Sequence, residues 1–490
     1  MPQVEYLKQN NKIKASRANR IFILCALLVF IAFPSFAIEE QVTRKNIFKS
    51  AALENDLRSK MVTYSGVIDY DSVLQAAVDN SYDIKTSQVN IEISKQRLSG
   101  AKREYIPDLN VRVNTEYNKG LDDNSQGIRT VNGVIINGAT RFQDSVSVNL
   151  QYTLLDYGIK KQHVNIASFD IIQKETVLVQ TLRDLKLQIL DLYTRILITY
   201  FELENLKTEY TLQKELLSMQ ERLYRAGLCS KIEVKQTEAD LNSVQIKIEN
   251  TNLGFAELLA ELSFYTNTGY STSLENVKPF TQKNPMDLNL DEIDYTKSSE
   301  YISYQKEIDK KHSELSILKR QRLPQVAMYS GYSIYGTDKG SFSSSASDMR
   351  QSNIAVGLST NLGVTEQFKQ TPKIKELELQ INSLQIEQAR NVSNFFKEVN
   401  RTKQLIGVYE VEKLKNDEFK MVLDTKLKML ERLDNKRLIN KTDLIFQQIQ
   451  NNRQNTEFKI IEQKAVAQSE KLKYLLEDVN ALGAIGINNI

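Results

Sequence analysis

Tryptophan is absent from this 490-residue chain, and histidine, cysteine and proline are scarce at two, two and seven. With only His163 and His312, imidazole-based catalysis and metal binding have little to work with. No nucleophile–base pair, phosphate-binding loop or metal-ligand cluster stands out, which speaks against an enzyme and gives no cofactor a place. Seven prolines and 18 glycines leave few breaks, and that favours long helices. A mean hydropathy of −0.39 and 26% charged residues describe a water-exposed chain rather than a helical membrane protein.

The N-terminus is a separate object. Lys8, Lys12, Lys14, Arg17 and Arg20 precede an apolar run, Ile21–Phe33, and Ser35-Phe36-Ala37 then supplies the small residues of a cleavage site. The run of about 13 residues is short of the ~20 that a spanning helix needs, so residues 1–37 are expected to be a Sec signal peptide. Removing them takes away five basic residues and one acid, so the formal net charge falls from +3 to −1. No basic excess remains to attract nucleic acid. One cysteine, Cys229, also remains, so no intrachain disulfide can form after export.

One pattern occurs twice. Ala101-Lys102-Arg103-Glu104-Tyr105-Ile106-Pro107-Asp108-Leu109 and Leu318-Lys319-Arg320-Gln321-Arg322-Leu323-Pro324-Gln325-Val326 each end a helical stretch in Lys-Arg, pass an apolar-Pro step and become a strand. Such a switch repeated 217 positions apart predicts two copies of one unit. The first copy is expected over 64–270, with a β-hairpin at 108–154 and a long helix pair at 158–268. The second is expected over 294–490, with a hairpin at 325–362 and a helix pair at 373–481. Residues 271–293 link them, and 38–63 form an N-terminal extension without an assignment.

In the first strand Leu109, Val111, Val113, Thr115 and Tyr117 alternate with Asn110, Arg112, Asn114, Glu116 and Asn118. Strands of roughly ten residues have the length of a tilted transmembrane β-strand. In the long helix Leu178, Leu182, Leu185, Ile189, Leu192, Ile196, Leu203 and Leu206 keep a heptad seam. Four strands cannot close a barrel, and open edges cannot face lipid. Several chains must therefore share one barrel if the strands span a membrane. The polar inner face implies a water-filled lumen, with Arg112 and Glu116 lining it. Without tryptophan, Tyr105, Tyr117, Tyr152, Tyr157, Tyr332 and Tyr335 must supply any aromatic girdle.

At this point the chain resembles the TolC-like outer-membrane efflux proteins. The resemblance rests on the duplicated order of helix, hairpin and long helix pair, and on the apolar-Pro strand starts at Pro107 and Pro324. It rests also on Leu154-Leu155-Asp156-Tyr157-Gly158 and on the helix tip Gly227-Leu228-Cys229-Ser230-Lys231-Ile232-Glu233-Val234. It implies an α+β membrane protein and a homotrimer in which four strands per chain make a 12-stranded β-barrel and the helices make a periplasmic α-barrel. The protein would be a passive outer-membrane exit duct of a tripartite efflux or type I secretion system. Its partners would be outer-membrane lipid, a periplasmic membrane-fusion adaptor and an inner-membrane pump of RND, ABC or MFS type. The adaptor would dock at two tips, through Gly227, Leu228 and Ser230 and through Arg437, Leu438 and Asn440. Arg437 stands where the family usually has Gly. The periplasmic gate would fall at Asp443, Phe446 and Glu233, where Asp443 and Glu233 have a plainer reading as helix N-terminal acids. Two other classes compete: a soluble periplasmic coiled-coil scaffold whose strands form an ordinary sheet, and an exported enzyme.

Overall fold

Sparse proline and glycine translate into helix length. In chain order, the strands β1 (Thr63–Tyr64) and β2 (Val67–Ile68) precede the helices α1 (Tyr70–Asn80) and α2 (Tyr82–Arg103). Four strands follow: β3 (Asp108–Asn118), β4 (Ile128–Val131), β5 (Val134–Asn137) and β6 (Arg141–Leu155). The long helices α3 (Ile159–Arg225) and α4 (Lys231–Thr266) lead into β7 (Gly269–Tyr270) and β8 (Asn276–Val277). Then come α5 (Ser299–Arg320), β9 (Gln325–Asp338), α6 (Phe342–Ser347), β10 (Gln351–Asn361), α7 (Val364–Asn435) and α8 (Lys441–Ala484). At ~1.5 Å per residue, α3 with 67 residues and α7 with 72 are each roughly 100 Å long. This computed structural model describes residues 63–64, 67–118, 128–131, 134–137, 141–271, 276–280, 294–338, 340–436 and 441–484. The expected signal peptide, nearly all of the 38–63 extension and the second-tip residues Arg437, Leu438 and Asn440 lie outside the described residues.

The chain divides into two units. One takes residues 99–165 and 313–377 and is built on a four-stranded sheet in the order β10-β9-β6-β3, antiparallel throughout. The two hairpins thus join through β6 and β9. The other unit takes the described residues within 63–98, 166–312 and 378–484. Its core gathers Ile68, Tyr70, Val73 and Ala77, the stretch of α3 from Leu185 to Phe201, Phe255, Leu259 and Leu262 of α4, and Val277 and Phe280. Two-residue parallel pairs, β1 with β7 and β2 with β8, pin this core. Tyr193, fully buried, donates its hydroxyl to the carbonyls of Ile68 and Lys278. Tyr70 and Tyr474 share a hydrogen bond of 2.9 Å beside it.

Three expectations need correction. The seam of α3 is wider than a heptad line, because Leu190, Tyr193, Leu197 and Phe201 are buried along with Leu185, Ile189, Leu192 and Ile196. Elements pack on more than one side of the helix there, so its apolar stripe broadens. The hairpin expected at 325–362 is not a plain one, since a helix, α6, lies between its strands, and Ser341 caps it by accepting from the Ser344 N–H at 3.2 Å. The helix expected from 373 begins at Val364 and runs through Pro372. Proline there removes one N–H, the one that would reach the carbonyl of Phe368. Phe368 is exposed, and water can serve that carbonyl instead.

Candidate channel surfaces and helix tips

Register decides which side chains share a face, because directly paired residues of an antiparallel sheet point the same way. One row runs Val111, Val148, Tyr332, Ile354 across all four strands. Its neighbour row runs Arg112, Ser147, Ser333, Asn353 on the opposite face. The alternation holds along the sheet, so one face is apolar and the other polar. The apolar face is not covered: Val113 is 66% exposed, Ile354 is 72% exposed, and Leu109, Val356 and Leu358 are similarly open. Near the end of β6, Leu154 and Leu155 together face Val326 in a bulge, which keeps both leucines on the apolar side. On the polar face Tyr329 lies over Gly357, where an added Cβ would meet its hydroxyl at 2.5 Å. Arg112 is exposed and Glu116 half-buried, both on this polar face.

The tyrosines divide. Tyr117 and Tyr152 lie towards strand ends on the apolar face, Tyr117 against Phe142 at 4.9 Å and Tyr152 under the Lys160 ammonium at 4.8 Å. Tyr332 sits mid-sheet and Tyr335 points to the polar face, because it pairs with Ser145 and Gln351. Their strand positions do not suit these two to a girdle. Phe142 and Phe342 of α6 extend the Tyr117 cluster, at 4.6 Å between rings. The helix is fastened by Ser345, whose hydroxyl donates to the Gly336 carbonyl and accepts from the Asp144 N–H.

Both strand starts have the same build. The Ile106 N–H donates to the Arg103 carbonyl at 2.9 Å, and the Leu323 N–H donates to the Arg320 carbonyl at 3.0 Å. Each tight turn ends a helix, and Pro107 or Pro324 follows, bars further helix and hands the chain to a strand. At the other end of β6 the Asp156 carboxylate accepts from the N–H groups of Gly158 and Lys160 at 2.9 and 3.0 Å. Gly158 holds φ +82°, and its carbonyl accepts from Arg320 at 3.1 Å. Burial works against ionisation of Asp156, but these N–H donors and the Lys160 charge outweigh it and hold its carboxyl below the ordinary aspartate range. A lowered folded-state pKa means stabilisation is complete above the ordinary range and fades as pH falls through the lowered value. Asp156→Ala should cost about 1 kcal/mol as a lost helix cap, read as a lower thermal midpoint in detergent whose deficit shrinks in acid.

The first helix tip is closed by a Schellman turn. The Gly227 N–H donates to the Tyr224 carbonyl and the Leu228 N–H to the Leu223 carbonyl, both at 2.9 Å. Gly227 holds φ +73° with open space where a Cβ would go. Gly227→Ala should therefore cost about 1–2 kcal/mol of backbone strain alone, seen as faster amide exchange confined to the turn. Ser230 caps α4 by accepting from the Glu233 N–H at 3.3 Å, and its hydroxyl meets the Glu233 carboxylate at 3.1 Å. Glu233 thus has a local capping role. Leu228 is exposed, and Ile232 one turn on is 81% exposed.

Past the second tip, Leu444, Ile445 and Gln447 of α8 are buried while Asp443 and Phe446 share its exposed side, Phe446 at 54%. The buried side meets α3. Ile445 and Ile449 pack on Leu216, Lys441 pairs with Glu215 at 2.8 Å, and Asn452 donates to Asn205 at 2.6 Å. Arg453 grips Glu209 with two nitrogens, Nε at 2.9 Å and Nη2. This polar lock was missed by sequence reasoning. Its signal was an acid at 209 in step with the apolar positions Leu212, Leu216, Met219 and Leu223. Among the described residues no group of side chains could hold a metal ion, and no helix is long and apolar enough to cross a membrane.

Residues 73–268 match the family model described as outer membrane efflux protein. No curated protein matches the chain by sequence. Among solved structures, CusC, which forms a transmembrane channel, superimposes with a TM-score of 0.70 at 12% identity, over 83% of this chain and 91% of that one. VceC, an outer membrane protein of Vibrio cholerae, gives 0.66 at 13% identity over 84% and 96%. The outer membrane channel CmeC of Campylobacter jejuni gives 0.68 at 11% identity over 84% and 86%. Residues 73–268 therefore carry the match to the outer membrane efflux protein family, and the chain shares the fold of these three proteins.

Proposed function

We propose that the chain is a passive outer-membrane exit duct in which three copies close one 12-stranded barrel and one hollow helical cylinder. The observation that carries this reading is the four-stranded sheet, with a bare apolar face, a polar face and unpaired edges at β3 and β10. An exposed apolar face of this size belongs against lipid or protein. Open edges are not tolerated in lipid, so β3 of one copy must meet β10 of the next. Two copies would give eight strands, whose interior side chains fill it, while a polar lining calls for a wider, water-filled passage. Three copies meet that need. The helices make the same demand: Ile232, Ala239, Ile246, Leu253 and Ala260 recur every seven residues on an exposed line of α4.

On this reading the two strand starts mark an internal duplication, the tip around Gly227, Leu228 and Ser230 receives a periplasmic adaptor, and an inner-membrane pump supplies the energy. A polar lining suits efflux of small solutes and export of a polypeptide alike. Asp443 and Phe446, on the open side of α8, narrow the far end as rings of three. Planar-bilayer recording of the purified protein tests the reading: discrete single-channel steps are expected, and a protein that leaves bilayers silent contradicts it. Asp443→Ala should raise single-channel conductance and weaken block by multivalent cations, whereas unchanged values would return Asp443 to a helix-end role.

A further inference from the structure

Among the described side chains, charge on the polar face of the sheet is confined to one strand. Every described side chain that β6, β9 and β10 place on that face is neutral, as the rows through Ser147, Ser333 and Asn353 illustrate. On β3, by contrast, Asp108, Arg112 and Glu116 follow each other at four-residue steps on that same face, an acid, a base and an acid. None of the three makes an ion pair or side-chain hydrogen bond among the described residues. Their charges are therefore unspent among the described residues. The Arg112 row also continues as hydroxyls and an amide through Ser147, Ser333 and Asn353, a band of hydrogen-bond donors across the whole sheet.

We propose that this ladder sets the charge selectivity of the strand-lined passage, with the Arg112 row acting as a way-station for anionic groups between two acidic rows. The inference rests on the duct reading. Successive rungs stand about 13 Å apart, four residues at ~3.3 Å each. That exceeds the ~10 Å Debye length at about 0.1 M salt, so each rung acts on passing ions separately rather than cancelling its neighbour. Three copies turn each rung into a ring of like charge, which is how pores select by sign. Charges on an edge strand also discourage wrong edge-to-edge pairing. That role alone would leave ion selectivity indifferent to their sign.

The test is the reversal potential of the full-length protein in planar bilayers under a KCl gradient near about 0.1 M, where charge reaches furthest. R112Q is expected to raise the potassium-to-chloride permeability ratio several-fold, D108N and E116Q to lower it, and R112K to leave it near wild type. At about 1 M salt, with a Debye length of ~3 Å, the differences should collapse. The proposal is overturned if wild type conducts and the ratio is unmoved by R112Q, or if R112Q and E116Q shift it the same way. It is equally overturned if the charge variants change only oligomer yield. A wild type that passes no current would instead remove the duct itself, and the inference with it.

Discussion

Val148→Arg should abolish accumulation in the outer membrane, while Ser147→Arg, one residue away, should leave it intact. Val148 lies in the middle row of the apolar face, flanked by Val111 and Tyr332. A guanidinium at the bilayer midplane costs about 2–4 kcal/mol in a β-barrel, and a shared barrel would carry it once per copy. A row nearer a strand end would let the side chain reach the headgroups, so the penalty should fade towards Leu109 and Leu358. Ser147 faces the other way, beside Arg112 and Ser333, where a new cation meets water and changes conductance only. The assay is the amount of each variant recovered from washed outer membranes. Equal recovery of the two would mean that the faces are assigned wrongly.

Arg453→Ala should destabilise the contact between α8 and α3 by about 1.5–3 kcal/mol, the range for hydrogen bonds to charged groups. Glu209 is only 4% exposed and accepts from two guanidinium nitrogens, so truncation strands a buried carboxylate. Arg453 is itself half exposed, and solvent screening places the loss in the lower part of that range. Arg453→Lys should recover only part, because an ammonium cannot match the two-point grip. The double change Glu209→Leu with Arg453→Leu should be milder than Arg453→Ala, since it leaves no unpaired charge behind. Hydrogen exchange over 441–453 and 205–216 measures each effect locally. Unchanged protection in Arg453→Ala would show that Leu216, Ile445 and Ile449 hold these helices together unaided.

The strands were legible because the alternation from Leu109 to Tyr117 is strict, and the registry of all four strands keeps that alternation on common faces. The strand starts were legible because proline leaves few choices, and the matched turns at Ile106 and Leu323 follow from it. Helix α6 was hidden: six residues rich in serine carry no helical period, and what holds them is tertiary, namely Ser345 on Gly336 and Phe342 on Phe142. The breadth of the α3 core was hidden for a similar reason. Tyr193 reads as a surface residue beside a leucine seam until β2 and the chain after β8 supply carbonyls for its hydroxyl. Glu209 and Arg453 are 244 positions apart, and only the fold brings them together. At the tips, Gly227 announced its left-handed turn, and Ser230 with Glu233 announced a cap.

The central claim is that one sheet is an incomplete barrel. The mass of the oligomer extracted from the outer membrane in mild detergent tests it most directly, by native mass spectrometry before and after heating. The account predicts a complex of three copies that heat converts to single chains. A single chain before heating, or a soluble monomer in the periplasmic fraction, would contradict it.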